Sequence, residues 1–513
     1  SNGKGACILP HGVLFRGNAE AVIRKQLIKS GFLKAIIGLP ANLFYGTSIP
    51  ACILVLDKEN APVRKGIFMI DARNGFKKDG SKSRLRDQDI HKIIDAFNNK
   101  TDISGYSRMV TFEEIGDPNN DFNLNLPRYI DSSEHEDIQN IDGHLRGGIP
   151  ELDVEALNPY WKVLPDIRNL LFQSAGRPGF VKLKLSIKEV NTKIFTHPEF
   201  EFFNKSAINV FNDWKKFCIP HLENFKKGSV TKQLILLISE NLLTKFNSTS
   251  LVKKYDLYQH LMDYWLETMK DDCYLVSGSG WKEGATPREV SKVKNTNKKL
   301  VWPKEDFDYL NGKRRFKSDL LPKSILIDQY FTTEHNNIES LQNKLSLVEL
   351  NIQEVIDENS GEDGLLDDVI EGEDDKRKIT IKSIKARLKE VNKDQNFIDE
   401  LNLLQECVEL LEKQADIKKK LKTSLNDLNN KIQDKYPKLK EEEIKLLVIE
   451  NKWMNKLSIT MRSELDHVSQ TLTSRIQVLA QRYETPLPKL TEEVVNHTKK
   501  VEEHLKKMGV LLN

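Results

Sequence analysis

The sequence predicts an α/β domain that is followed by a mainly helical chain, and three observations support this fold class. Short apolar runs alternate with helical spacing over 1–130, aromatic residues are frequent over 131–334, and heptad-spaced apolar residues begin beyond 335. Apolar strands that alternate with helices favour a mostly parallel sheet with helices on its faces. A chain of 513 residues is also too long for a single hydrophobic core, so several domains are expected.

In the first domain, 1–130, four apolar runs predict strands and two amphipathic stretches predict helices. The predicted strands lie at 6–9, 33–39, 51–56 and 67–71. A helical pattern over 17–30 stops at Gly31, because glycine commonly ends a helix. A second helix is predicted near 87–98, and the basic loop before it contains Lys77, Lys78, Lys82, Arg84 and Arg86.

The second region, 131–334, is predicted to be mixed and mainly helical, with packing dominated by aromatic side chains. It also contains the most basic stretch of the chain, formed by Lys292, Lys294, Lys298, Lys299, Lys313, Arg314, Arg315 and Lys317. A run of this kind is typical of a solvated face, and phosphate contact is the alternative interpretation.

The third region, 335–435, is predicted to form a coiled-coil hairpin. Apolar residues alternate spacings of three and four at Ile338, Leu341, Leu345, Val348, Ile352 and Val355. A second set comprises Leu404, Cys407 and Leu411, then Leu421, Leu425, Leu428 and Ile432, with the polar Gln414 and Lys418 at the positions between. An acidic segment, 357–375, separates the two sets and is expected to be a loop or disordered. Carboxyl-terminal helices are predicted over 436–513, with a break at Pro486 and Pro488.

Composition excludes several classes of protein. Lys and Arg number 78 against 75 Asp and Glu, so the net charge of +3 selects no class of partner. The five cysteines form no Cys-x-x-Cys pair, which argues against a zinc site or a disulfide framework. No apolar run approaches the roughly 18 residues that a membrane span requires, so we expect a cytoplasmic protein without a membrane partner.

Two motifs resemble functional loops but lack the necessary context. Gly278 and Gly280 form a Gly-x-Gly pair, yet the residues that follow them are a poor helix start for a dinucleotide-binding loop. Asn158, Pro159 and Tyr160 resemble an Asn-Pro-Pro-Tyr loop in which the second proline is missing. A capped turn is the better interpretation of that segment.

Two loops with a composition suited to ligand binding follow predicted strands. The first is 9–17, and the second, 39–50, combines prolines with Phe44, Tyr45 and Gly46. In an open α/β sheet, loops beyond the carboxyl ends of parallel strands line the ligand crevice. An aromatic pair beside a glycine can stack on a flat ring, because glycine allows the backbone to approach closely.

These loops carry a resemblance to a known family. Residues 5–17 (GACILPHGVLFRG), 36–47 (IIGLPANLFYGT) and 121–130 (DFNLNLPRYI) closely resemble the modification subunit, a DNA adenine-N6 methyltransferase, of type I restriction-modification systems. A fainter resemblance extends to 481–487 (QRYETPL) and 504–509 (HLKKMG). The resemblance implies a Rossmann-like methyltransferase sheet and site-specific methylation of adenine N6 in DNA.

The resemblance also implies a cofactor and partners. S-adenosylmethionine would supply the methyl group, and a separate specificity subunit would recognise the DNA sequence. A restriction subunit with translocase and nuclease activity would complete the system, and two modification subunits would join each specificity subunit. We expect the hairpin at 335–435 to dock the helices of the specificity subunit, with Leu425 and Leu428 in the contact.

The same family places its glycine-rich cofactor loop and its catalytic Asn-Pro-Pro-Tyr/Phe loop before the strand that begins here near Gly3. The chain therefore resembles the carboxyl part of the subunit, the carboxyl part of its Rossmann-like sheet included. We expect it to retain no catalytic, cofactor-binding or metal-binding residue. Alone it should neither bind S-adenosylmethionine nor methylate DNA.

By analogy with the family, Phe44 is expected to stack on the extruded adenine. Tyr45, Gly46 and His11 complete the expected target-base pocket, and packing of Phe44 in the core is the alternative. The expected DNA contacts are Lys77, Lys78, Lys82, Arg84 and Arg86. A different class of function also stays open: a helical assembly or interaction protein whose α/β segment is vestigial.

Overall fold

The structure is a computed structural model, and it describes residues 2–132, 139–294, 300–303, 307–359, 364–371, 378–391 and 398–508. The chain divides into two compact units. Unit 1 comprises Ser1–His221, Lys232–Met269 and Lys456–Asn513, and unit 2 comprises Leu222–Thr231 and Lys270–Asn455. The four domains expected from the sequence stay a prediction.

The described strands are β1 Lys4–Pro10, β2 Leu33–Gly38, β3 Ala51–Asp57, β4 Gly66–Asp71, β5 Lys77–Asp79, β6 Lys82–Arg84, β7 Ser107–Thr111, β8 Ile149–Pro150, β9 Phe172–Ser174, β10 Phe180–Leu183, β11 Arg288–Val290, β12 Val293–Lys294, β13 Leu300–Val301, β14 Tyr309–Asn311, β15 Arg314–Lys317, β16 Ile370–Glu371 and β17 Lys378–Ile379. The α-helices from α1 to α10 are α1 Asn18–Lys29, α2 Asp87–Asn99, α3 Phe112–Gly116, α4 Ile141–Arg146, α5 Glu151–Glu155, α6 Asn158–Trp161, α7 Pro165–Leu171, α8 Ile187–Phe195, α9 Pro198–Glu223 and α10 Thr231–Lys245. The others are α11 Lys254–Tyr264, α12 Lys270–Ser279, α13 Trp281–Gly284, α14 Lys323–Tyr330, α15 Thr332–Glu358, α16 Ile381–Val391, α17 Ile398–Lys435, α18 Glu441–Leu446, α19 Asn455–Arg482 and α20 Leu487–Lys507.

The first sheet is mixed rather than mostly parallel. Among the described residues its strand order is β1-β3-β2-β4-β7, and only the β2–β4 pair is parallel. The expectation of a mostly parallel sheet was therefore wrong. The connection between β2 and β3 explains why these strands pair antiparallel. Residues 39–50 contain no helix, and a connection between parallel strands usually requires one. The chain instead turns back and pairs antiparallel.

Alternating side chains of β2 and β4 build a core on each face of this sheet. On one face, Ile36 and Met69 pack with Ile28 of α1. On the other, Ile37 and Phe68 pack with α2. Because both strands are buried along nearly their whole length, their sequences are continuous apolar runs rather than alternating ones. The predicted strands and both predicted helices of this segment are confirmed to within two residues at each end.

Gly31 ends α1 for a steric reason. Its φ is +66°, and a Cβ at this position would lie 2.2 Å from the backbone oxygen of Ala61. Only glycine satisfies both conditions, because other residues disfavour positive φ and would meet the neighbouring backbone. The helix stop predicted from the sequence thus has a conformational and a packing cause.

The helical part of unit 1 packs on α2 through polar as well as apolar contacts. The Tyr255 hydroxyl donates to the Asp95 carboxylate at 2.9 Å, and the Gln88 side chain donates to Asp256 at 3.0 Å. In α11, His260 contacts Glu464 of α19 at 3.3 Å. The predicted break at Pro486 is confirmed, since α20 begins directly after it.

In unit 2, a buried carboxylate joins two helical segments. Asp272 accepts hydrogen bonds from the Lys452 ammonium at 2.9 Å and from the Trp453 indole at 2.8 Å. Only 5% of Asp272 is exposed, and burial raises the pKa of its carboxyl against the opposing effect of Lys452. Lys452 and Trp453 lie in a π-helical segment, Leu447–Met454, whose wider turn directs consecutive side chains into the core.

The helices α15 and α17 lie antiparallel in unit 2. Lys431 contacts Glu334 at 2.5 Å and Lys418 contacts Glu349 at 2.9 Å, so sequence numbers rise along one helix as they fall along the other. Gln414 also donates to Glu349, at 3.1 Å. The predicted pair of long helices is therefore present, and its coiled-coil character stays a prediction.

The acidic segment 357–375 stays a predicted loop, and among its described residues Leu366 and Val369 are buried in the same core as α15 and α17. One expectation for this hairpin was wrong. Leu428, which we expected in a partner contact, is 6% exposed and packs inside the protein. Leu425 is 44% exposed and remains available to a partner.

Both rejected motifs lie in helices, and for Asn158 this differs from the capped turn that the sequence favoured. Gly278 lies inside α12, so the Gly-x-Gly pair does not form a strand–helix turn. Asn158 begins the short helix α6, in which Trp161 is buried and donates to the Val154 oxygen. All five cysteines are free thiols.

Candidate functional site

The carboxyl ends of β1, β2 and β4 meet at one edge of the mixed sheet. β1 and β2 both run antiparallel to β3, so they point in the same direction, and β4 is parallel to β2. Short backbone hydrogen bonds close this edge: His11 N–H donates to Pro50 O at 2.9 Å, and Leu39 N–H donates to Ala51 O at 2.8 Å. The two candidate loops therefore begin side by side, as expected, although the sheet is mixed.

Phe44 and Tyr45 lie on the surface of the loop 39–50. Phe44 is 37% exposed and Tyr45 is 94% exposed, whereas the neighbouring Leu43 packs against the core. Gly46 has a φ of +78° with open space around its Cα, so the turn after the aromatic pair depends on glycine. Phe44 is partly packed and partly exposed, so packing stays the alternative to a role in stacking. Its role toward a base stays a proposal.

The basic hairpin, β5 and β6, lies against this loop. The Lys82 ammonium donates to the backbone oxygen of Phe44 at 3.1 Å, and the Ser83 N–H donates to the Asn42 oxygen at 3.0 Å. Lys77 pairs directly with Arg84 across the two strands. The structure thus places the aromatic loop and the basic residues expected to contact DNA in one continuous surface.

The cations of this hairpin differ in availability. Lys77, Lys78 and Arg84 are exposed, and Lys77 faces Arg84, a like-charge pair that destabilises a hairpin unless an anion binds nearby. Arg86 is different, because its guanidinium donates to the Asp89 carboxylate at 2.9 Å and caps the start of α2. Arg86 is therefore engaged within the protein.

His11 is buried at the centre of the edge. It is 6% exposed, and within the described residues its Nε2 atom finds no hydrogen-bond partner. Burial, together with the positive charge of Arg73, lowers the pKa of His11, so its imidazole is neutral at pH 7. A Cβ at Gly38 would lie 3.3 Å from this Nε2 atom, so glycine leaves room for the ring.

Sequence reasoning missed a charged cluster beside His11. Asp71, at the carboxyl end of β4, accepts hydrogen bonds from Arg73 Nε at 2.7 Å and from Ser132 Oγ at 2.6 Å. Burial alone would raise the pKa of Asp71, but these hydrogen bonds outweigh it and hold the pKa below its usual value. The position of Asp71 could have been predicted from the sequence, since it ends a buried strand and therefore lies at the same edge of the sheet as the two loops.

The glycines at this edge do not fit S-adenosylmethionine. A Cβ at Gly38 would lie 2.4 Å from Leu126 Cδ1, and one at Gly12 would lie 2.6 Å from Arg16 Nε. Side chains therefore fill the space that a glycine-rich turn leaves open for a cofactor. No step of methyl transfer is assigned to these residues.

Among the described residues, no group of three or more His, Cys, Asp or Glu side chains has the arrangement of a metal site. Over the same part of the chain, no helix combines the length and the apolar character needed to cross a membrane.

Comparison with known proteins gives matches in the first part of the chain. Residues 1–138 match the family described as N-6 DNA Methylase. The MjaVII methylase subunit of a type I restriction enzyme from Methanocaldococcus jannaschii is 40% identical over 136 residues, which cover 26% of this chain and 23% of that protein. The MpnII methylase subunit from Mycoplasma pneumoniae is 35% identical over 156 residues, 30% of this chain and 26% of that protein.

A solved structure matches the same part of the chain. The methyltransferase subunit of a type I restriction-modification system from Streptococcus thermophilus is 44% identical, with 25% of this chain and 27% of that chain covered and a TM-score of 0.23. The chain thus spans about a quarter of the length of the relatives it matches. Residues 1–138 match the N-6 DNA Methylase family, and the chain is similar over 26–30% of its length to the methylase subunits of type I restriction enzymes.

Proposed function

We propose that this chain acts in the methylase subunit of a type I restriction-modification system, which transfers a methyl group from S-adenosylmethionine to adenine N6 in DNA. One observation carries the proposal: the exposed aromatic loop and the basic hairpin form one surface at the strand-end edge. The contact of Lys82 with the Phe44 oxygen joins them. This surface lies within the segment that matches the N-6 DNA methylase family.

The loop 39–50 would receive the target base. An adenine inside a duplex is inaccessible to methyl transfer, so it must be extruded at a cost of a few kcal/mol. Phe44 offers a ring face for the extruded base, and Tyr45 and Gly46 border the same position. Neutral His11 lies at the same edge of the sheet. Its unpartnered Nε2 atom can donate or accept a hydrogen bond, depending on the tautomer.

The hairpin β5–β6 would hold the DNA backbone beside the extruded base. Lys77, Lys78 and Arg84 supply exposed cations, and a phosphate between Lys77 and Arg84 would relieve their repulsion. Phosphate contacts position DNA without reading its sequence. We therefore assign sequence recognition to a separate specificity subunit.

The helices α15 and α17 would dock that specificity subunit. Their shared core uses many of the predicted apolar positions, so a partner would contact the apolar residues that stay exposed, Leu425 among them. Leu347 and Leu350 are 61% and 58% exposed, lie three residues apart in α15 and therefore face the same side. Two methylase subunits per specificity subunit, and a restriction subunit beside them, complete the proposed assembly.

The methyl donor would bind away from the described residues of the edge, since Gly12 and Gly38 leave no open space there. Calorimetric titration of this 513-residue chain with S-adenosylmethionine should then show no saturable binding in the micromolar range. Saturable binding would place a cofactor site on this chain and would contradict that part of the proposal.

A methylation assay tests the proposed function. The assembled enzyme, with Lys77, Lys78 and Arg84 replaced by glutamine, should transfer labelled methyl groups to its DNA substrate more slowly, because DNA affinity falls. The matched control replaces Lys58, Lys65 and Lys100, which are also exposed but lie at the opposite edge of the sheet. Equal DNA affinity and equal rates in the two variants would refute the proposed DNA surface, and the absence of methylation by the wild-type assembly would refute the function.

A further inference from the structure

A second basic surface lies in unit 2 and takes no part in the methylation site. Among the described residues, β11, β15 and β14 form an antiparallel sheet with β15 in the centre. β12 pairs with β13 beside it in the sequence. We call the described residues 288–294, 300–303 and 307–317 the basic β-module.

One face of the basic β-module is anchored on helix α17 and the turn that follows it. Tyr309 stacks on Phe316 at 5.1 Å and contacts Tyr436 at 5.9 Å, and only 8% of Tyr309 is exposed. The backbone of Leu310 makes two hydrogen bonds of 2.9 Å with the side chain of Asn429. These contacts hold β14 of the module against α17 and the turn that follows it.

The module carries a large excess of positive charge. Its described residues include seven cations and two acids, namely Arg288, Lys292, Lys294, Lys313, Arg314, Arg315 and Lys317 against Glu289 and Asp308. Asp308 points inward, where it accepts backbone hydrogen bonds from Ser318 and Lys323. Glu289 contacts Arg314 at 3.8 Å, a long and exposed pair that neutralises little charge. Arg288 is paired with Asp319, whose carboxylate it contacts at 2.5 Å, so its charge is neutralised within the protein. The remaining cations still outnumber the acids, and Lys292, Lys294, Lys313 and Arg314 are exposed.

Trp302 organises part of this charge. The Arg315 guanidinium lies 4.2 Å from its ring centroid and the Lys292 ammonium lies 5.3 Å from it, so cation–π contacts fix both side chains. Arg315 also lies 4.9 Å from the ring of Phe307. An arginine that is held flat on an aromatic ring is pre-organised for planar ligands such as phosphate, because less side-chain entropy is lost on binding.

We propose that the basic β-module binds the sugar-phosphate backbone of duplex DNA. Like charges concentrated on one sheet repel one another, and a polyanion relieves that repulsion while it releases counterions. Arginine and aromatic side chains combined on one surface are typical of nucleic-acid contacts. The inference rests on the proposed function, because that function makes DNA the partner. The residues themselves belong to unit 2 and differ from those of the proposed methylation site.

The test is a titration of fluorescently labelled duplex DNA with the full chain, followed by anisotropy between 50 and 300 mM salt. The module variant replaces Lys292, Lys294, Lys313 and Arg314, all exposed, by glutamine. The control variant removes the same charge from unit 2 by replacing the exposed residues Lys413, Lys419, Lys422 and Lys438. Each variant must retain the wild-type circular dichroism spectrum and melting temperature.

We expect the module variant to lose more than tenfold in affinity at 0.1 M salt. The slope of log affinity against log salt should become shallower by about 2 to 4, because each lost phosphate contact changes it by about 0.9. The control variant should bind within threefold of wild type. Equal affinity and equal slope for module and control variants would overturn the inference, as would displacement of the duplex by polyglutamate at equal charge concentration.

The same titration separates this inference from the proposed function. A variant of the hairpin residues Lys77, Lys78 and Arg84 tests the methylation surface under identical conditions. Weakening by the module variant alone supports the inference and counts against the hairpin as a DNA surface. Weakening by the hairpin variant alone overturns the inference and leaves the proposed function standing. Failure of the wild-type chain to bind duplex DNA at 50 mM salt would overturn the inference outright.

Discussion

Replacing Phe44 by alanine should weaken the binding of DNA with an extruded adenine while the fold is retained. Phe44 is 37% exposed, so roughly two thirds of its side chain is packed against the protein. Full burial of a phenylalanine contributes roughly 1.5–3 kcal/mol, so the substitution should lower the free energy of unfolding by about 1–2 kcal/mol. Stacking on a base is worth roughly 1–3 kcal/mol, which corresponds to a loss of about 5-fold to 150-fold in DNA affinity.

The assay uses the enzyme assembled with its specificity subunit. A duplex in which 2-aminopurine replaces the target adenine reports extrusion, because this base analogue fluoresces more strongly when it is unstacked. Titration gives the affinity of Phe44→Ala for this duplex, and transfer of labelled methyl groups to ordinary DNA gives the rate. Tyr45→Ala is the matched control, since Tyr45 is the adjacent ring and is 94% exposed.

Two results would refute the reasoning about Phe44. The first is a folded Phe44→Ala enzyme with the wild-type affinity, fluorescence amplitude and methylation rate. The second is a large loss in Tyr45→Ala together with a small one in Phe44→Ala, which would make Tyr45 the stacking ring. A melting temperature within a few degrees of wild type shows that the variant is folded.

Three further predictions concern stability and assembly. Asp272→Ala should lower the free energy of unfolding of unit 2 by about 3–5 kcal/mol in chemical denaturation, because it removes the counter-ion of the buried Lys452 ammonium and the acceptor of the Trp453 indole N–H. The hydrogen bond to Glu464 raises the pKa of His260, so its stabilising contribution is full below pH 6.5 and is lost as the pH rises through the raised value. With His260→Gln, the melting temperature should fall less as the pH rises above 6.5. The same dependence of the melting temperature on pH in variant and wild type would contradict this role of His260. Leu347→Ser with Leu350→Ser should abolish co-purification of the specificity subunit while circular dichroism stays unchanged, and a surviving complex would place the interface elsewhere.

Much of the local structure could be predicted from the sequence. β2 and β4 are buried on both faces, so their continuous apolar runs located them to within a residue at each end. Gly31 located the end of α1, because its position requires positive φ. Strand direction could not be predicted in the same way, since the apolar run of β3 is equally suited to parallel and antiparallel pairing. Only the lack of a helix in 39–50 favoured the antiparallel pairing of β2 and β3 that is observed.

Burial within the hairpin was harder to predict than its helices. Heptad spacing located α15 and α17, but it does not say which apolar residues face each other and which remain for a partner. Leu428 proved to be internal, whereas Leu347, which lies off the heptad positions, is exposed. The burial of Leu366 was likewise not predicted from the acidic composition of 357–375. Net charge describes a whole segment, whereas burial depends on the individual side chain.

The two candidate loops begin at one edge although the sheet is mixed, and the reason is geometric. A binding crevice requires that several strands end at the same edge, and it does not require that neighbouring strands be parallel. β1 and β2 are separated by antiparallel β3, so they run in the same direction and both end where β3 begins. Any fold in which an antiparallel strand is inserted between two parallel ones keeps this property. The loops that follow β1 and β2 would therefore meet under either topology, and Asp71 at the end of β4 joins them for the same reason.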